Sequence, residues 1–564
     1  QHRILIQVIV NSLKDLNDMK KYYILSLVLV AALGLSSCQD KLDLRDNGKI
    51  DMSQVFKDRN RTRGYLNSCY SYMIGVNFDA AAWSDDAQHS SAANAKTSYD
   101  IWYNSGVDAS NFGSYNVDGS PWTSLFIGVR KTNVFLANIE GATGSTTAED
   151  KANWTAQAHV LRAYYYLQLM KRYGQVPLIT EDLGTTHDYS SDKKASITEI
   201  TRQILADCDA AISAPDNEGF SYYMRTQQWG MMTKAIAQYI RCEAVMWAIS
   251  PLLSDGGFST SEAYDVANDA LSKLTQNGYE LWTEASDTYS AYANYFLYNP
   301  NDLRAKDKET ILGGSQVAVW SNAGVPIVAG TTTAGPCPTQ ELVDAFEMAN
   351  GMPAITGYSD ANHLEPIVNS ASGYNESKPY VGRDPRFYDI VFYNGSKRGA
   401  NGINTATGGT CGINRTNVRF THTGYYMRKY ANNNSNRNSN QDGFIRTMRL
   451  AEVYYNFAEV ALAAGKTAEA ATAVNTVRAR SGMPAIATAD FNEARYRNDR
   501  RVEFALEADR YHSLRRWKTL SSASVVSGMD GGKRFAFEPR PTTTDKYLLY
   551  PLDLLEVNKV DELT

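Results

Sequence analysis

Asp85 and Asp86 stand side by side, two residues after Trp83. Paired carboxylates near an aromatic ring are the equipment of glycoside hydrolysis, in which one acts as acid and the other as base or nucleophile. An exposed loop pair is the competing reading, and linear spacing does not separate the two. Other catalytic chemistry is missing. The seven histidines include no HExxH spacing of the kind a zinc hydrolase needs. There is no GxSxG elbow, Walker loop or dinucleotide-binding glycine fingerprint. The densest charge cluster is RNDRRVEFALEADRYHSLRR, Arg497 to Arg516. At i, i+3 spacing Arg500 reaches Glu503 and Glu507 reaches Arg510, which predicts a structural helix latched by ion pairs.

A second piece of chemistry lies near the start. In MKKYYILSLVLVAALGLSSCQDKLDL, beginning at Met19, Lys20 and Lys21 precede an apolar run from Tyr22 to Leu33, and small residues follow. This is the pattern of a secretory signal, too short to span a bilayer. Leu35-Ser36-Ser37-Cys38 resembles a bacterial lipobox, in which the cysteine thiol takes a diacylglycerol and becomes the first mature residue. Two or three acyl chains make such an anchor effectively permanent. Residues 1–18 read as upstream sequence, 19–37 as the signal and 38–50 as a lipidated tether.

About 525 residues remain beyond the leader, more than one core usually serves. The net charge of -5 is spread out, with no basic stripe, so nucleic acid is not an expected partner. Beyond Cys38 the cysteines are Cys69, Cys208, Cys242, Cys337 and Cys411, scattered and without a CxxC pair; they read as buried small apolar residues. Tyr, at 36, is twice as common as Phe, at 18, which favours surfaces that are apolar and wet at once.

The elements that position these groups are mainly helical. Apolar periodicity predicts helices over 55–73, 122–139, 153–173, 197–212, 226–253 and 261–275. Leu161, Tyr165, Gln168 and Leu169 share one face, and Gly174 and Pro177 close that helix. Arg449 to Arg480, RLAEVYYNFAEVALAAGKTAEAATAVNTVRAR, has the pattern of a tetratricopeptide unit, two helices whose small residues allow close approach. Two stretches break the rhythm. Residues 75–119 form an irregular, aromatic-bearing insertion, read as functional because long loops usually are. Residues 281–443 read as loops with a few strands, including Ile311-Leu312 and Val317 to Trp320. The resulting division is 51–280 helical, 281–443 a loop-rich ligand-binding region and 444–564 helical.

Several segments together resemble the SusD/RagB family of Bacteroidetes surface lipoproteins. After Cys38 they are LRAYYYLQLMKRYGQVPLI (161–179), TKAIAQYIRCEAVMWAISPLL (233–253), PTQELVDAFEMANG (338–351), DPRFYDIVFYNG (384–395), RLAEVYYNFAEVALAAG (449–465), VRARSGMP (477–484), RRVEFALEADRYHSLRRW (500–517) and YLLYPLDLLEVN (547–558), in the family's order. Two departures stand out: Ala508-Asp509 where a glycine is usual, and His512-Ser513 where an aromatic-aspartate pair is common. The resemblance implies a mostly α fold, with about four tetratricopeptide-like helix pairs beside an irregular, loop-rich subdomain with a few short strands. It implies no catalysis and no required cofactor, and it leaves a structural calcium open. The implied role is that of an outer-membrane, lipid-anchored lid on a SusC-like TonB-dependent transporter, with the helix pairs facing the barrel. The cargo is a glycan or, in the RagB-like branch, a peptide.

No binding motif transfers from the family, whose sugar-stacking aromatics sit on variable loops. By composition the candidates are Trp83, Trp102, Tyr103 and Trp122 in the first loop region and Trp282, Tyr292, Tyr295, Tyr298 and Trp320 in the second. Trp102, Tyr295 and Trp320 are the first choices. At roughly 0.5 to 1.5 kcal/mol for each ring, three would give a site of about millimolar strength.

Overall fold

The computed structural model describes residues 52–552, apart from 76–77, 95, 117, 185, 189–191, 224–229 and 298–305, together with residue 557. The leader, Cys38 and Tyr298 lie outside the described residues. Ten helices organise the fold: α1 (Arg59–Tyr70), α2 (Trp122–Ile139), α3 (Ala148–Tyr173), α4 (Ile197–Ile212), α5 (Lys234–Ala248), α6 (Thr260–Gln276), α7 (Leu450–Ala463), α8 (Thr467–Arg480), α9 (Glu493–Glu503) and α10 (Asp509–Arg516).

The first eight form four consecutive pairs. Each helix packs on the next, and the leading helices also stack on one another, α1 on α3, α3 on α5 and α5 on α7. That double adjacency is the tetratricopeptide arrangement. Local sequence sets the boundaries. Thr147 and Asp150 close a capping box on α3, as Ser196 and Glu199 do on α4. Because α3 sits between α2, α4 and α5, it is buried on nearly every side rather than along one stripe. Gly128 permits the closest approach: a Cβ there would lie 2.5 Å from the Tyr165 ring. All five described cysteines are free and buried.

Between α6 and α7 the chain leaves the helical stack and returns to it. The exit and re-entry are β2 (Thr310–Gln316) and β4 (Phe444–Arg449), paired antiparallel with Arg449 opposite Thr310, so both ends of the excursion meet at one ribbon. The N-terminal insertion joins this region through β1 (Ala87–His89), paired antiparallel with β3 (Pro336–Pro338).

α9 and α10 lie across the leading helices. Arg515 donates to the Lys171 carbonyl (3.0 Å) and to Arg172, satisfying the C-terminal end of α3. The charge cluster is not one helix. The chain breaks after Glu503, with Leu506 (φ 63°) and Ala508 (φ 71°) in the left-handed region, which takes Glu507 and Arg510 off a common helix, while Arg500 and Glu503, both in α9, are drawn to other partners. Arg500 instead pairs with Asp509 (2.6 Å) and Arg510 with Asp85 (2.8 Å). Glu507 pairs with Lys429 (2.5 Å) and Arg449 (2.8 Å).

Glu503 lies at the centre of a buried lattice. It takes Arg386 (3.1 Å), Arg449 (2.9 Å) and Arg480. Around it, Arg386, Lys429, Arg449, Arg478, Arg480 and Arg495 face Glu309, Glu347, Asp384, Asp499, Glu503 and Glu507, one cation for each carboxylate. Asp509 also accepts from Ser513 Oγ (2.9 Å). The carboxylate facing Arg500 therefore comes from one helical turn before position 513, where the family pattern commonly carries its aspartate.

Two stability outcomes follow. Glu503→Ala removes the carboxylate shared by three buried arginines and leaves the lattice one negative charge short, although each arginine keeps another acidic partner; it is expected to cost about 3 kcal/mol in chemical unfolding. Ala508→Gly relieves a left-handed non-glycine residue and is expected to gain about 1 kcal/mol, read as a rise in Tm.

Candidate ligand surface

Most of the aromatics chosen from sequence belong to the core, which corrects their assignment as sugar contacts. Trp83, Trp102, Tyr103, Trp122, Trp282, Tyr292 and Tyr295 are all buried. The polar ends of five of them find partners inside the fold. Trp83 donates to the Tyr115 carbonyl (3.0 Å), Tyr103 to Ala82 (2.7 Å), Trp282 to Glu284 (2.8 Å) and Tyr292 to Glu503 (2.7 Å). Tyr295 shares a hydrogen bond with Thr310 Oγ1 (2.8 Å). Trp102 is fully buried between Phe112 and Tyr511, and Trp122 stands edge-on to Tyr173 at 5.0 Å. These rings fasten the insertion at 75–119 and the start of the loop-rich region to the helices, so none offers a face to a sugar in this structure.

Asp85 and Asp86 are likewise buried, not an exposed loop pair. Arg501 meets both (3.0 and 2.7 Å), and Arg510 holds Asp85. Burial works against ionisation of Asp85, but the two guanidiniums outweigh it and keep the carboxyl well below its usual range. A carboxylate so neutralised has no proton to give at neutral pH.

An interior cavity of about 130 Å³ lies where α3, α5 and α7 meet α9 and α10, lined in part by Lys171, Tyr239, Glu243, Glu452 and Arg500. Burial, and then the neighbouring Glu243, push Glu452 up to about 7. Among the described residues no cluster of His, Cys, Asp and Glu is arranged to hold a metal ion.

Trp320 is different. It is only half-buried, and its indole Nε1 has no hydrogen-bond partner among the described residues. Its placement depends on Asp442, whose carboxylate accepts from the Trp320 amide (2.6 Å) and from the Asn432 amide (3.0 Å). Asp442 thereby fixes the ring beside an amide-rich loop, Asn432-Asn-Asn-Ser-Asn-Arg-Asn-Ser-Asn-Gln441. The loop is folded by side-chain turns: Asn432 Oδ1 accepts from the Asn434 amide (2.9 Å) and Asn436 Oδ1 from the Asn438 amide (2.9 Å). The Asn433 amide donates to the Tyr289 hydroxyl (2.9 Å), while Asn433 Oδ1 is unpartnered among the described residues.

Beneath the loop Arg398 donates to the Asn432 and Ser435 carbonyls (3.0 and 3.2 Å). Gly330, at φ 93°, sits against both the Trp320 ring and Arg437; a Cβ there would lie 2.5 Å from each. That gap lets the exposed Arg437 side chain stand next to the indole. The surface offers part of one aromatic face, several amides and the exposed Arg437, while the indole Nε1 itself is buried, an arrangement that suits a ligand with an apolar ring face edged by hydroxyls. Sequence reading included Trp320 but missed the loop. The signal was the asparagine run itself, between Tyr430 and Asp442.

A stack of helix pairs carrying an irregular polar surface on a long excursion defines a helical-repeat binding protein. Two family models match the chain, "SusD family" over residues 286–564 and "Starch-binding associating with outer membrane" over residues 49–238. The protein belongs to the SusD/RagB family. A SusD-like protein from Bacteroides fragilis has 25% identity and a TM-score of 0.71, covering 91% of this chain and 97% of its own. A SusD-like carbohydrate-binding protein from the same species has 18% identity and a TM-score of 0.68, covering 90% and 100%. Surface glycan-binding protein A from Bacteroides fluxus has 19% identity and a TM-score of 0.54, covering 89% and 97%. Comparison with curated proteins found no match.

The cavity carries a pH signature. Glu452 holds its proton more tightly folded, near 7, than unfolded, near 4.3, so stability is greatest below the lower value and falls as pH rises toward the upper. Glu452→Gln is expected to match the wild type at pH 4 and to exceed it at pH 8 by about 3–4 kcal/mol, measured by unfolding at both pH values.

Proposed function

We propose that this chain captures glycan at the cell surface. The observation that carries the reading is the Trp320 surface, a half-buried indole whose backbone amide is held by Asp442, which also fixes the start of the amide-rich loop beside it. An indole face takes the apolar face of a pyranose ring, and amides take the hydroxyls at its rim. The printed descriptions of the relatives, starch-binding, carbohydrate-binding and surface glycan-binding, support the same class of ligand. The protein is read as a binder and not as an enzyme, since the carboxylate pair singled out for hydrolysis is occupied by Arg501 and Arg510.

In this reading lipid on Cys38 holds the protein at the outer membrane. It acts as the lid of a SusC-like TonB-dependent transporter, receiving oligosaccharide on the loop-rich side and passing it on. Weak capture fits that duty. One stacking contact supplies roughly 0.5 to 1.5 kcal/mol, so several modest contacts hold a chain without trapping it.

The test is retardation of the protein, without its leader, in native gels cast with laminarin, amylopectin, arabinoxylan and pectin, with a parallel assay for new reducing ends. Retardation by at least one polysaccharide without cleavage is expected, weakened about 3- to 10-fold by Trp320→Ala. Cleavage, or retardation indifferent to Trp320, would overturn the reading.

A further inference from the structure

The charges around Trp320 are unequal. Arg437 is exposed beside the indole and has no carboxylate partner among the described residues. Arg398, immediately under the loop, is 2% exposed, and its Nε and Nη1 lack hydrogen-bond partners among the described residues. Its nearest carboxylate is Asp442, 4.0 Å away. Asp442 spends one oxygen on the Trp320 amide and the other on the Asn432 amide, so it answers Arg398 only at a distance. Lys397 is exposed on the same hairpin. The loop itself, Asn432 to Gln441, supplies amides and Arg437 and no carboxylate.

This local excess stands on a chain whose net charge is -5. Buried or partly buried cations are screened less than exposed ones. A neutral sugar needs only the ring and the amides. An exposed arginine whose Cβ lies close to the indole, across Gly330, adds a forked donor whose geometry matches a carboxylate or a sulfate ester.

We infer that the glycan taken at Trp320 is acidic, bearing a carboxylate or sulfate on the ring that stacks or on its neighbour, with Arg437 as the anion-recognising residue. The inference rests on the glycan-capture reading of the same surface and narrows it to a class of sugar.

Polygalacturonate and its fully methyl-esterified form share a backbone and differ only in charge, and chondroitin sulfate and laminarin extend the comparison. Affinity gels with these four polymers, at 50 and 500 mM NaCl, would be run on wild type, Arg437→Gln and Trp320→Ala. The expected result is retardation by polygalacturonate or chondroitin sulfate, reduced at least 5-fold by Arg437→Gln, weakened by salt and lost with Trp320→Ala. The methyl ester and laminarin should bind at least 5-fold less. Trp320-dependent binding of laminarin or the methyl ester at equal or greater strength would leave the glycan reading standing and overturn this inference. Binding by none of the four would overturn this inference and leave the glycan reading to be decided by amylopectin and arabinoxylan, whereas acidic binding indifferent to Trp320 would overturn both. Arg437 is exposed, so the Tm of its variant should equal that of the wild type, separating loss of contact from loss of fold.

Discussion

The structure depends on the ion lattice around Glu503. One carboxylate takes three arginines, and each comes from a different part of the chain: Arg386 from the loop-rich excursion, Arg449 from the ribbon that ends it and Arg480 from the end of α8. Burying charge in this way is expensive, and only close geometry and balanced numbers keep it from being destabilising. Here the balance is met within the lattice itself. Its physical effect is on arrangement as much as on stability: α9 cannot shift along α7 without leaving a buried charge alone. The loop-rich region is thus clamped to the helical stack by electrostatics as well as by apolar contact.

That clamp gives the binding surface a rigid base. The ribbon of β2 and β4 leads from the lattice, at Arg449, to Asp442 within a few residues, and Asp442 sets both the Trp320 ring and the first turn of the asparagine loop. Loops positioned by a fixed scaffold are where recognition can change while the fold does not. The helix pairs supply the frame on which that surface is carried.

Much of this was legible in the amino-acid sequence, for reasons that also explain what was not. The helix from Trp122 to Ile139 and that from Ile197 to Ile212 lie where apolar periodicity puts them, because a helix face is written in residues three and four apart. The count of about four helix pairs was implied by the family resemblance and not by periodicity, and the structure has four. Ion partners are a different matter. Arg510 meets Asp85 across more than 400 residues, and local spacing instead suggested Glu507, which the turn at Leu506 and Ala508 removes. The aromatics misled for a related reason. Tyr and Trp suit wet surfaces, but they suit a polar core equally well when a carbonyl waits for the hydroxyl or indole, as Ala82 does for Tyr103. Composition cannot tell these settings apart. The asparagine run was visible but silent, since amides give no sign of whether their turns face a ligand or only water.

The Arg500 partner has an evolutionary consequence. The carboxylate that answers this arginine is placed by Asp509 and not by residue 513, and Ser513 hydrogen-bonds to it from the next turn. A chain with aspartate at 513 and none at 509 would supply one negative charge to the same spot. Passing between the two arrangements by single substitutions requires an intermediate with two carboxylates crowding Arg500 or with none. The pair 509 and 513 therefore forms one inherited unit, and each residue constrains what its neighbour one turn away is free to become.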